Sequence, residues 1–401
     1  MEIIKGDTYF DNINIFESIK QYPYLDEDID CDILVIGGGI EGALVNYYLS
    51  KNYKVVLVEK TRLGRCLTCV ATALLEFQLD SFAHDLKPIL ESEDIIKIYS
   101  MGLGCLNELD CLINRLGNHC YYKKKPSLLY SDRVVDISKI KKEFEFRKQN
   151  GIDCKYIDTS NCMLDIDIKA GIFDKNGGAE LNPYLFEKQL IENSVNQKNI
   201  YENTEIVGIQ NIDDYVIAHS KFGYKIRAKK VIISTGFDYT LLDTDVQKLL
   251  TMMVSYTIVT SKISNLNKLK LPLIQDAYDN YHYLRTLPDE RIIFGGEDTK
   301  FNGTHIDAKI AKSKYQSLAK NLNKILKRYN LNFTSEYEFC GLFASTENNL
   351  GIIGQSKFKN IYYFLSCGAN GIINTFCGID IIKDLLEGKS NEFEKYFSPL
   401  R

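Results

Sequence analysis

Three glycines carry the first chemical suggestion in this chain. Gly37, Gly39 and Gly42 stand in the order GxGxxG, directly after the apolar run ILVI at 33–36 and at the head of IEGALVNYYL at 40–49. Each position has a physical job: Gly37 permits a tight turn, Gly39 leaves bare backbone for a diphosphate, and Gly42 lets a helix pack closely on a strand. The helix start at Ile40 and Glu41 presents free N–H groups and a partial positive charge to phosphate oxygens. Glu59 closes the next apolar run, VVLV at 55–58, where its carboxylate can accept from ribose hydroxyls, and Lys60 follows it. GxGxxG alone is common. Set between a strand and a helix, with an acid at that distance, it points to an adenine dinucleotide.

Two further groups have chemistry in their types. Cys66 and Cys69 form a CxxC within GRCLTCVATALL, the spacing of a redox dithiol; that use requires a helix start that lowers one thiol pKa. Tyr281, Tyr283 and Arg285 alternate in YHYLRTL, so a strand there puts all three on one face and His282 on the other. Arg285 on that face either forks onto a carboxylate or pairs with a surface acid. His282 has the place of a structural histidine.

These residues need elements to hold them. Strand 33–36, helix 40–49 and strand 55–58 make a βαβ unit, hence a parallel sheet with a right-handed crossover. Helices are expected over 93–117, 135–149, from Pro183 after Asn182, and over 306–329. Short alternating runs predict a strand meander over 204–234 and a second β-rich stretch over 252–300; residues 360–388 read as a strand followed by a long helix. At 401 residues, with no repeat or linker, the chain should form two interleaved domains. A net charge of -4 gives no field to recruit nucleic acid or an anionic membrane, and no stretch is apolar enough to span one. Eleven cysteines without an export signal fit reduced thiols and a cytoplasmic location.

The motifs CDILVIGGGIEGALVNYYL, VVLVEK, TCVATALLEFQLD, GGAELNPYLFEKQL, KVIISTGF, YHYLRTLPDERIIFGGED and FLSCGANGIINTFCGIDIIKDLLEGK occur in order from about residue 20 to 390. Together they resemble the D-amino-acid oxidase (DAO) family of FAD-dependent oxidoreductases, especially its bacterial glycine-oxidase-like members. The resemblance implies FAD and an α/β, two-domain fold in which a Rossmann-like FAD domain interleaves with a β-rich substrate domain. Expected boundaries are an extension over 1–30, FAD-binding segments 31–85, 177–250 and 345–401, and substrate segments 86–176 and 251–344. It also implies that Thr68, Ala71 and Thr72 face the diphosphate or flavin, that the backbone at Val207 meets adenine, that Thr235 and Gly236 pass beside the cofactor, and that Gly368, Asn370, Gly371 and Ile372 start a helix beneath the flavin.

The resemblance further implies oxidation of a small amine or amino acid: hydride passes from the carbon beside the amine to flavin N5 and an imine results, with oxygen or another acceptor taking the electrons. No catalytic base and no metal are expected. Departures stand beside it. Amino-acid-oxidising relatives clamp the substrate carboxylate with an arginine before the late glycine-rich segment, whereas this chain reads CGLFASTENNLGIIG, with Phe343 and no arginine. That leaves Arg285, with Tyr281 and Tyr283 lining the pocket, as the candidate cation. The alternatives are a flavin-linked thiol or NAD(P)H reductase, which the CxxC suggests but which lacks a second GxGxxG, and a non-catalytic FAD-binding protein.

Overall fold

The computed structural model describes residues 4–12, 20–78, 82–236, 238–368 and 370–401. Leu79, Asp80, Phe237 and Ala369, which belong to the quoted motifs, lie outside these residues, as does part of the 1–30 segment. Two sheets face one another. The first has eight strands, and its parallel centre runs Ile361–Leu365, Lys225–Ile233, Ile29–Ile36, Val55–Val58 and Ile200–Tyr201. Val55–Val58 and Ile361–Leu365 are apolar without alternation because both faces are covered there: every residue of both strands is buried. Each such side chain stabilises the fold by roughly 1.5–3 kcal/mol. Helices Ile40–Leu49, Pro183–Glu192 and Gly371–Leu386 supply the facing apolar layer. Asn182 caps the second of these by accepting from Leu185 N–H, ahead of Pro183.

The second sheet has ten strands and is mostly antiparallel. Its order begins Ile4–Gly6, Ser335–Ser345, Thr251–Thr260, Ile292–Lys300 and His282–Thr286, and continues through Leu273–Asp276, Lys123–Ser131, Ala170–Glu180 and Leu74–Glu76. Helix Ala308–Arg328, capped by Asp307, covers the back of this sheet with Ala311, Tyr315, Leu318, Leu322 and Leu326. The apolar residues of that helix recur at three- and four-residue spacing, as a one-sided cover requires.

The two-sheet α/β architecture is as expected, but the segment boundaries differ. Leu74–Glu76 pairs with the ten-stranded sheet, although it falls in the expected first FAD segment. Strand Ala170–Glu180 crosses the expected boundary at 176/177, and Ile4–Gly6, expected as an extension, forms an edge strand beside Ser335–Ser345. Changes of local pattern suggest boundaries, whereas pairing partners far along the chain decide which sheet a strand joins. Among the described residues no helix is long and apolar enough to cross a membrane.

Candidate active site

A cavity of about 300 Å³ lies between the two sheets, and nearly every residue expected at the site reaches its wall. One end is the glycine turn. Gly37 has φ +111, and a Cβ there would stand 2.2 Å from the Ser234 carbonyl oxygen. At Gly42 a Cβ would lie 1.8 Å from the Gly37 carbonyl oxygen, which forces glycine where helix meets strand; Gly42 therefore packs and does not line the cavity. Gly39 is different: an added Cβ would meet only Thr68 Oγ1, at 3.3 Å, and otherwise project into open space. Gly39, at the cap position, has no side chain to cap the helix that begins at Ile40, and beyond the Ile40 N–H, which Thr68 takes, the first turn is left for a ligand.

Glu59 is held rigidly. Its carboxylate accepts from Gly38 N–H at 2.8 Å and from Thr61 N–H and Oγ1–H, both at 2.9 Å. Lys60 donates to Asp238 across 2.7 Å. Thr68 Oγ1 accepts from Ile40 N–H at 3.1 Å, tying the CxxC segment to the helix start. Glu41, on the wall, accepts from the Ser366 N–H and hydroxyl; burial lifts its pKa to about 7 against the pull of those two bonds.

Along the cavity follow Ala71 and Thr72 on one side, Thr235 and Gly236 on another, and Gly368, Asn370, Gly371 and Ile372 at the start of the last long helix. Asn370 bridges to the other sheet, donating to Gln78 O at 2.8 Å and accepting from Glu76 N–H at 3.4 Å. Val207 does not reach the wall. Half-exposed on an edge strand, it lies just beyond Thr204, Glu205 and Ile206, which do.

The far wall is the ten-stranded sheet. Tyr281 and Tyr283 line it with Ser255, Thr257, Gln275 and Asp298. Gly295 leaves space for the Tyr283 ring: a Cβ there would meet its hydroxyl at 2.5 Å. Burial pushes the Tyr283 phenol to about 12, so it stays protonated and shares a hydrogen bond with Ser255 at 3.1 Å.

Arg285 shares the strand face of Tyr281 and Tyr283 but is not a pocket cation. It is fully enclosed, 2% exposed, donating through Nε to Thr72 O and through Nη2 to Leu181 O at 2.9 Å. Burial draws its pKa down to about 10, with Glu180 opposing, so it remains charged. Its work is to join backbone segments, because two carbonyls claimed the fork before any substrate could. His282 faces the opposite side, as expected, bonded to Asp276 at 2.6 Å and to Asn321 at 3.2 Å and stacked on Phe294.

Cys66 lines the cavity and Cys69 donates to Gly64 O at 2.9 Å. Burial raises the Cys66 thiol, the reverse of what a redox dithiol needs. Asp298, Ser255, Thr257, Gln275 and Glu76 escape a reading of the sequence alone. The Gly295–Gly296 pair inside a strand pattern is the available signal, since glycines there mark bulges and close approaches.

A family model described as FAD dependent oxidoreductase (DAO) matches residues 32–379. The chain belongs to this family. It is 22% identical over 389 residues to gamma-glutamylputrescine oxidoreductase of Escherichia coli (strain K12), covering 93% of this chain and 87% of that protein. YhfW of Bacillus subtilis (strain 168), whose name describes a Rieske 2Fe-2S iron-sulfur protein, is 24% identical over 223 residues; the match spans 55% of this chain and 43% of YhfW. Glycine oxidase from Geobacillus kaustophilus superposes with a TM-score of 0.76 at 15% identity, over 93% of this chain and 99% of that one. L-proline dehydrogenase from P. horikoshii gives 0.74 at 16% identity, over 94% and 98%. This DAO-family protein is an FAD-dependent oxidoreductase. Its residues fit the cofactor: the bare backbone at Gly39, the first helical turn beyond Ile40 and the buried, unpartnered Ser234 hydroxyl on the wall all present groups that a dinucleotide would meet.

Proposed function

We propose that this FAD-dependent oxidoreductase oxidises a small amine, at the carbon beside the nitrogen, in the space between the last helix start and the ten-stranded sheet. The observation that carries this reading is the far wall, where the hydrogen-bonded groups of Tyr281 and Asp298 and of Tyr283 and Ser255 line the same cavity as Asn370–Ile372. FAD held by these residues would supply the hydride acceptor for the carbon beside the nitrogen, and water would hydrolyse the imine product.

The protein's own groups bind and orient. Gly37, Gly39, Ile40, Glu41, Glu59, Lys60, Thr68, Thr235 and Gly236 hold the dinucleotide end, with Glu205 and Ile206 at the place expected of Val207. Ala71, Thr72, Gly368, Asn370, Gly371 and Ile372 hold the ring end, where the helix start favours negative charge on the reduced cofactor. Tyr281 and Tyr283 wall in the substrate and exclude water, which favours the neutral amine over ammonium without a dedicated base. The names of the E. coli relative and of glycine oxidase, an amine and an amino-acid enzyme, support the chemistry. We place the protein in the cytoplasm, since all eleven cysteines are free thiols. The thiol-reductase alternative is disfavoured by the raised Cys66 pKa.

Anaerobic mixing of the yellow holoenzyme with primary amines, secondary amines, amino acids, dithiols and NADH tests this. Bleaching of the flavin band by an amine or amino acid is the expected result; bleaching only by dithiol or NADH would overturn it. Peroxide assay in air then tests oxygen as the acceptor.

A further inference from the structure

The far wall carries an acid that strict strand alternation would have placed elsewhere. In Ile292–Lys300, Phe294 faces the back of the sheet, where it stacks on His282, and Gly295 faces the cavity, against Tyr283. Continued alternation would turn Glu297 to the cavity and Asp298 to the back. The observed order is reversed. Glu297 bonds to Lys314 and Ser317 of the covering helix, behind the sheet, whereas Asp298 lines the cavity and accepts from the Tyr281 hydroxyl at 3.0 Å.

A bulge causes the reversal. Val254 pairs with Thr299 and Tyr256 with Gly296, so Glu297 and Asp298 together oppose the single residue Ser255. The extra residue is absorbed at Gly296, φ +130, and Glu297, φ +58, conformations that only glycine and a left-handed turn residue supply. The bulge thus re-aims one carboxylate into the cavity. Asp298 Oδ1 is buried there with no hydrogen-bond partner, while its Oδ2 is taken by Tyr281. Burial raises the Asp298 carboxyl, against the nearby hydroxyls of Ser255 and Tyr281. A cation on Oδ1 would hold it ionised.

The charges on the cavity wall are nearly all of one sign. Glu41, Glu59, Glu76 and Asp238 line it together with Asp298. Among the described residues the only basic side chain on the wall is Lys60, at the dinucleotide end and bonded to Asp238. Arg285 is committed to backbone carbonyls. A substrate carboxylate would meet an unpaired acid and no cation, a costly arrangement in a low-dielectric site. A protonated amine would supply the missing donor and neutralise the charge, and the tyrosine rings beside it suit both a cation and an alkyl chain.

We propose that Asp298 is a specificity residue that binds a second, protonated amino group of the substrate, so that the enzyme takes an aliphatic diamine or polyamine rather than a simple amino acid. This rests on the amine-oxidising reading above. The oxidised nitrogen is the neutral one; the ammonium held by Asp298 takes no part in bond making or breaking.

Putrescine, butylamine and glycine are the probes, used on the holoenzyme in two assays. Anaerobic flavin bleaching by putrescine is expected to exceed that by the other two in apparent affinity. Calorimetric titration of the dithionite-reduced holoenzyme, which cannot oxidise the ligand, reads binding alone. There Asp298→Asn should weaken putrescine by at least about 30-fold while Asp298→Glu retains part of the affinity, the scale of loss when one partner of a buried charge pair is removed. Tyr281→Phe, which removes the hydroxyl that orients Oδ2, should give a smaller loss and serves if the asparagine variant fails to take up FAD. Equal binding of butylamine and putrescine, preference for glycine, or an asparagine variant that binds putrescine normally would overturn the proposal with amine oxidation intact. Asp298-dependent putrescine binding without bleaching by any amine would instead retain the cation site and overturn the oxidation reading.

Discussion

The two ends of the cavity are built on opposite principles. At the glycine turn nearly every polar group is already committed: Glu59 accepts three hydrogen bonds, Thr68 secures Ile40, and Lys60 is paired with Asp238. What is left open is backbone, at Gly39 and in the first helical turn beyond Ile40. On the facing sheet the backbone is paired in ladders and the openings are in side chains, with Asp298 Oδ1 unpartnered and Tyr281, Tyr283 and Ser255 turned inward. A cofactor that never changes is held by preorganised main chain, which no substitution outside glycine can alter cheaply. A ligand that varies among relatives is read by side chains, which can change one at a time without disturbing the frame.

The contrast predicts large and nonspecific losses at the first end. Gly42→Val would drive a side chain into the Gly37 carbonyl, and we expect a loss on the order of 3 kcal/mol or more and a colourless protein, read from thermal melts and the ratio of flavin to protein absorbance. A yellow, stable variant would show that helix and strand can separate there.

Arg285→Met sharpens the comparison from the other side. It strands the Thr72 and Leu181 carbonyls, so stability should fall by roughly 2–4 kcal/mol, seen in urea unfolding of the holoenzyme. If Arg285 were instead a substrate clamp, stability would hold and only substrate affinity would drop.

The dinucleotide end was legible because its signals are local. Glycine positions, the strand and helix periods and Glu59 all fall within about thirty residues of chain, the length of a βαβ unit, and the turn they specify depends on nothing distant. Helices 92–116, 137–149 and 308–328 were legible for the same reason: their apolar period lies inside the element. Strand Lys123–Ser131 was not, since KKKPSLLYS opens with three lysines and a proline, and AGIFDKNGGAE at 170–180 reads as a turn. Both become strands through partners distant in the chain, each other and the neighbours Leu273–Asp276 and Leu74–Glu76, with a register break between Lys125 and Ser127 at the proline. Arg285 was placed on the right face and given the wrong task, because alternation fixes direction but not how far along the sheet the cavity extends. Asp298 was hidden by the bulge, which inverts the alternation on which any face assignment depends.

Glu59→Gln tests how strongly the first end depends on charge. With three donors aimed at the carboxylate, the amide should cost about 1.5–3 kcal/mol in FAD affinity, measured by apoprotein titration. Unchanged affinity would assign Glu59 to the turn alone.

The smallest effect is one of pH. Burial lifts Glu41 to about 7, above its unfolded value, so the stability it contributes is complete below about 4.5 and is lost as pH rises through about 7. The neutral form also repels a diphosphate less. FAD binding to the apoprotein should therefore weaken between about pH 6 and 8, and Glu41→Gln should flatten that slope. A slope that survives the substitution belongs to another group.

The most direct test of the central claim is a crystal structure of the FAD-loaded, reduced protein with putrescine. The expected result is the diphosphate against the Gly37–Gly42 turn, the ring system beside Asn370–Ile372, and an ammonium within hydrogen-bonding distance of Asp298 Oδ1. Arg285 swung out of its carbonyl contacts to meet a bound carboxylate, with Asp298 facing empty space, would contradict it.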